Sequence, residues 1–178
     1  MTDVRIQLID KLVAEVGANG LVDRSLREVA TAIGSSHRML NYHFGSRDGL
    51  VRALVERVES SQRDLLQSLA EEIHDPAELV RALWDHLVQP EMRPFIRLFF
   101  ECVALTGGEG LTDPWIDDAR PIAERLGGST DADILRLGVA VSRGLLIDVL
   151  ATDDPRPATR SLELFLDLWS ASSGELTQ

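Results

Sequence analysis

The chain has 178 residues, of which 44% are hydrophobic and 26% charged, a balance that supplies a core for one domain or two small ones and excludes a disordered polymer. Its net charge is −11, and its single cysteine, Cys102, excludes an internal disulfide and a cysteine-based zinc cluster. No run of about 18 uncharged apolar residues offers a membrane helix, and Asp3, Arg5 and Asp10 stand where a signal peptide would be apolar, so the expected compartment is the cytoplasm.

In chain order, Ile6, Ile9, Val13 and Val16 recur at three and four positions, the spacing of an amphipathic helix that Gly17 and Gly20 are expected to end. Ser25 followed by Glu28 is a capping box, opening a short helix with Leu26, Val29, Ala30 and Ile33 on its inner side and Gly34 as its stop. Ser36 caps a third helix with Met39, Leu40 and Phe44 as its apolar positions. Ser46 caps a long one over Arg47 to Ile73, with Leu50, Leu54, Val58, Leu65 and Leu69 on one face. Further helices are predicted over 77–88, 94–105, 113–126, 131–150 and 158–171, separated by proline and glycine breaks. No alternating strand pattern intervenes, so the fold class is all-α with about nine helices.

The second and third helices are short and joined by Ile33-Gly34-Ser35-Ser36, the spacing of a helix-turn-helix. In such a motif the second helix enters the major groove, and its N-terminal residues reach base edges. Those residues are Ser36, His37, Arg38 and Met39, followed by Asn41 and Tyr42. Arg38 has the fork that bonds guanine and Asn41 the amide that bonds adenine, while Met39 suits a thymine methyl. Ser36, Tyr42 and the helix start at Ser46 and Arg47 suit phosphates. Charge agrees: residues 1–57 carry 8 basic and 7 acidic side chains, whereas the other 121 carry 10 and 22. A near-neutral head on an acidic body permits a local phosphate-binding face and keeps that face toward DNA.

The run from Ser25 to Leu50, SLREVATAIGSSHRMLNYHFGSRDGL, resembles the DNA-binding signature of TetR-type transcriptional regulators. The likeness covers about residues 5–57 and includes His43, Phe44, Ser46 and Leu50 at the places the family expects. The chain departs from the pattern at Ser35, where the family has Val, at Asn41, where it has Tyr, and at Arg47, where it has Lys. The resemblance implies a DNA-binding head over 1–46 and an all-helical regulatory body over 47–178. It implies a structural role for His43. It also implies a homodimer in which the last two helices pair with those of a second copy. The residues that suit such a surface are Gly138, Val141 and Leu145 with Leu162, Phe165 and Trp169, although the same stripes also suit an internal core.

Aromatic residues concentrate between positions 84 and 115. Trp84, Leu87, Phe95, Phe99, Cys102 and Trp115 are the expected lining of a pocket for an unidentified small molecule, with His86, Arg97, Glu101 and Arg143 as polar fixtures. Any one of these aromatics fills a core more often than it lines a pocket. The four histidines contain no i, i+4 pair, and no nucleophile elbow or phosphate loop occurs, so no catalytic residue, metal or cofactor is expected. The expectation is therefore a ligand-responsive, sequence-specific regulator with double-stranded operator DNA, a small molecule and a second copy as partners. In most such families it is a repressor. The alternatives are an architectural DNA binder and a helical adaptor without a ligand.

Overall fold

The computed structural model describes the backbone of residues 2–21 and 23–175. Among them every regular element is helical: α1 Thr2–Asn19, α2 Leu26–Ala32, α3 His37–Phe44, α4 Arg47–Glu72, α5 Pro76–Leu87, α6 Arg93–Thr106, α7 Asp113–Arg125, α8 Ala132–Thr152 and α9 Pro155–Glu175, with a single 3-10 turn at Pro90–Met92. The all-α expectation holds, and none of these helices is long and apolar enough to cross a membrane.

Caps and left-handed residues explain the boundaries. Ser25, Ser36, Asp75 and Asp131 each accept a backbone N–H with the side chain at the start of α2, α3, α5 and α8. The Ser46 hydroxyl does the same for the Gly49 amide, at 3.1 Å, at the start of α4. Asp153 stops α8 in the left-handed region at φ 59°, a conformation aspartate tolerates better than most side chains. Gly17 is not the helix stop the sequence suggested. It lies inside α1, where a Cβ would come within 2.8 Å of the Phe95 ring on α6, so its role is to admit that ring. Gly20, with φ 70°, follows the end of the helix.

The chain forms two compact units, Met1–Gln62 with Pro90–Glu109, and Arg63–Gln89 with Gly110–Gln178. Helix α4 contributes to both. The first unit thus joins α6 to the N-terminal helices, a grouping no local pattern announces. Its buried side chains include Leu12, Val16, Val29, Leu40, Leu50, Leu54 and Leu98. The predicted inner face of α1 is shifted: Leu8, Ile9, Leu12 and Val16 are buried, but Ile6 is exposed. In the second unit Leu66, Ala70, Leu79, Trp115 and Ile122 form a cluster, with Leu69, Ile73, Leu83, Leu126 and Val139 against it. Arg63 pairs with Asp118 at 2.8 Å and Arg125 donates to the Ala70 carbonyl at 2.8 Å, tying α4 to α7 inside that unit.

Candidate nucleic-acid interface

The short second helix is fixed first. The Ser25 amide and hydroxyl both donate to the Glu28 carboxylate at 2.7 Å, and the Glu28 amide returns a bond to the Ser25 oxygen at 3.3 Å. The Ser25 hydroxyl and amide hold the Glu28 carboxyl below its usual range. At the other end the chain reverses through Gly34, whose φ of 68° glycine adopts without strain, and the Ser35 amide donates to the Ala30 carbonyl at 2.8 Å.

Ser36 then caps α3 by accepting the Met39 amide at 3.1 Å. Leu40 and Phe44 are the buried residues of this helix and fix its rotation. That rotation leaves Ser36, His37, Arg38, Met39, Asn41 and Tyr42 all exposed. The six residues chosen from the sequence as DNA-facing are thus all exposed, Ser36 as the cap and the other five on the helix itself. Met39 was also counted among the apolar positions of α3, and its 41% exposure places it on this outer face. The Asn41 amide nitrogen lies 3.4 Å from His37 Nδ1, one turn back. The ring of half-buried His43 meets Tyr42 edge-on, with centroids 5.0 Å apart, and the Arg5 guanidinium stands 5.4 Å over the Phe44 ring.

Arg47, the seventh residue, opens α4 and is half-buried. It donates from Nη1 to Glu101 on α6 at 2.7 Å and from Nη2 to the Leu21 carbonyl at 3.3 Å. Sequence reasoning missed this pair, because 54 positions separate its members and Glu101 had been grouped with pocket fixtures.

The six residues chosen for a ligand pocket fall in both units. In the first, Phe95 lies against Gly17, Phe99 is edge-on to Phe100 with centroids 5.3 Å apart, and Cys102 is buried. In the second, Trp84 is buried and its indole donates to the Thr159 hydroxyl at 2.9 Å. There Trp115 belongs to the α4–α5–α7 cluster, and Leu87 is half-buried. Of the polar fixtures, His86 and Arg97 are exposed, and Arg143 donates to the Thr112 hydroxyl and the Leu111 carbonyl.

Helices α8 and α9 pack on each other as a hairpin. The stripe chosen there from the sequence looks largely inward. Leu162 is fully buried, and Gly138 receives the Trp169 ring at 3.2 Å from where a Cβ would stand. Val141, Leu145, Phe165 and Trp169 are half-buried, the last two with ring centroids 5.2 Å apart. The side chains the hairpin leaves outside are Leu137 and Ile147 on α8 and Leu164 and Leu168 on α9, each more than half exposed. They recur at helical spacing with exposed Ala140 and Gly144 between them. Sequence periodicity missed this face because α8 is apolar on both sides.

No family model matches the chain, and no curated protein matches it. Solved structures do. A TetR-family transcriptional regulator from Pectobacterium atrosepticum superposes with a TM-score of 0.79 at 17% identity, over 94% of this chain and 92% of that one. A member of the TetR family from Streptomyces coelicolor A3 gives a TM-score of 0.62 at 25% identity, over 89% of this chain and 96% of its own. The multidrug binding protein EbrR, solved with imidazole, gives 0.61 at 25% identity, over 92% and 89% of the two chains. The fold of this chain is thus that of solved TetR-family transcriptional regulators, and its helix-turn-helix sequence resembles theirs.

Proposed function

We propose that the chain is a sequence-specific DNA-binding repressor, released from its operator by a small molecule, and that it acts as a homodimer. The observation that carries the DNA reading is the outward face of α3: six exposed side chains able to donate, accept or make apolar contact, set on a helix whose rotation Leu40 and Phe44 hold. Arg38 and Asn41 read bases. Ser36, Tyr42 and Arg47 take phosphates, with His37 and Met39 beside the bases. The head over 1–46 supplies these contacts except that of Arg47, the first residue of the body over 47–178, which supplies regulation and pairing.

The exposed Leu137, Ile147, Leu164 and Leu168 of α8 and α9 support a second copy, since large apolar side chains concentrated on two packed helices are costly to leave in water. Val141, Leu145, Phe165 and Trp169 flank them, while Gly138 and Leu162 support them from within. Two-fold pairing places two α3 helices on half-sites roughly 34–36 Å apart. The name of EbrR, a multidrug binding protein, supports a small-molecule effector here as well. Residues 84–115, with Trp84, Leu87, Phe95, Phe99, Cys102 and Trp115, are the proposed sensing segment. An effector shifts the equilibrium only by its unequal affinity for the DNA-competent and DNA-released states.

Selection of binding sites from a random duplex pool tests this reading. The expected product is an inverted repeat with half-sites about one helical turn apart. Recovery of A·T-rich duplexes without a repeated motif would instead fit an architectural binder.

A further inference from the structure

Arg47 occupies a particular place. It is the first residue of a 26-residue helix whose start is capped by Ser46, and it follows the end of the DNA-facing helix by three positions. A phosphate reaching that helix start would meet its guanidinium, which keeps 32% of its side-chain exposure. In the protein without DNA, the guanidinium already has an anion. Glu101 Oε1 accepts from Nη1 at 2.7 Å, and the Leu21 carbonyl accepts from Nη2 at 3.3 Å. The other Glu101 oxygen is buried and has no hydrogen-bond partner among the described residues. A carboxylate half satisfied in this way is costly to keep charged, and its short bond to Arg47 is the compensation visible in the same unit.

We propose that Glu101 is a resident competitor of DNA: its carboxylate holds Arg47 in the unbound protein and must surrender it for Arg47 to bind a phosphate. This rests on the phosphate role proposed for Arg47. The consequence is a helix of the central sequence, α6, that sets DNA affinity through one ion pair without touching DNA. The exchange is one anion for another at the same cation. On release Glu101 is left bare and takes up a solution cation, which reduces the net release of ions that drives binding. Removing its charge should therefore both tighten binding and make it more salt-dependent.

Glu101→Gln keeps an oxygen that accepts from Arg47 and deletes the charge. Its affinity, with that of Arg47→Ala and the double variant, is measured on a duplex selected by the unaltered protein, across a salt series. Glu101→Gln should bind about two- to fivefold more tightly at low salt, the strength of a partly exposed ion pair. It should also steepen the salt dependence by up to about one unit of log–log slope. Arg47→Ala should bind more weakly, and adding Glu101→Gln to it should give no gain. If Glu101→Gln binds equally or more weakly with an unchanged slope while Arg47→Ala still weakens binding, Glu101 merely positions Arg47 and the inference is wrong. If Arg47→Ala binds as tightly as the unaltered protein, the phosphate role of Arg47 falls and the inference with it. Thermal melts verify folding, and Glu101→Ala replaces the glutamine variant if that one melts early.

Discussion

Helix α3 and the α8–α9 hairpin each have a buried and an exposed side but speak differently in the sequence. In α3 two buried residues, Leu40 and Phe44, stand among polar neighbours, so the inner and outer faces separate at sight. In α8 the inner residues Leu135, Leu146 and Val149 alternate with exposed Leu137 and Ile147, and periodicity returns two apolar stripes of similar quality. The difference teaches that a hydrophobic stripe identifies a core only where the opposite face is polar. A helix apolar on both sides has an outer face awaiting a partner, and only its packing against α9 tells the faces apart.

The largest expected effect comes from charging the outer face of the hairpin. Leu164→Glu with Leu168→Glu should convert a dimer to monomers in sedimentation velocity and lower operator affinity by at least tenfold, while the helical content stays unchanged. Leu162→Glu should behave differently, because Leu162 is fully buried: it should destabilise the fold itself, by about 3 kcal/mol or more. If the outer pair leaves the dimer intact and Leu162→Glu leaves stability intact, the assignment of the two faces is reversed.

A smaller effect is expected at Gly17. In an open helix interior, glycine to alanine would stabilise by about 1 kcal/mol. Here the new methyl must displace the Phe95 ring, so Gly17→Ala should give no gain or a loss in a urea melt, and pairing it with Phe95→Leu should restore the gain. A stabilised single variant would remove the close α1–α6 approach from the account.

The smallest is at the capping box. Glu28 has a folded-state pKa below its unfolded one, because the Ser25 hydroxyl and amide donate to it. Its contribution is present above the ordinary carboxylate range and is lost as pH falls through the lowered folded value. Glu28→Gln should therefore lower thermal stability slightly at neutral pH and not at all in strong acid. An equal difference at both pH values would mean that the charge plays no part in the cap.

The fold was legible from the chain to the extent that local chemistry writes it. Ser25, Ser36, Ser46 and Asp131 announce helix starts, Gly34 announces the turn, and together they locate the exposed residues of α3 proposed to face DNA. What could not be read depends on contacts across long stretches of sequence. Gly17 looked like a stop because nothing local reveals Phe95. Arg47 looked like a free phosphate ligand because nothing local reveals Glu101. Within the long α4 the buried residues Leu50, Val51, Leu54 and Val55 give way to Leu66 and Ala70, as the helix passes from one compact unit to the other. A single stripe drawn from Leu50 to Leu69 cannot follow that change of neighbours.

The most direct test of the central claim, that the outer face of α3 reads sequence, is a second selection from random duplexes with Arg38→Ala and with Arg47→Ala. The account predicts that Arg38→Ala loses about 1–3 kcal/mol on the selected site and relaxes preference at one base position in each half-site. Arg47→Ala should weaken all sequences by a similar factor and leave the motif unchanged. An Arg38→Ala motif identical to that of the unaltered protein would contradict the claim and move base recognition away from Arg38.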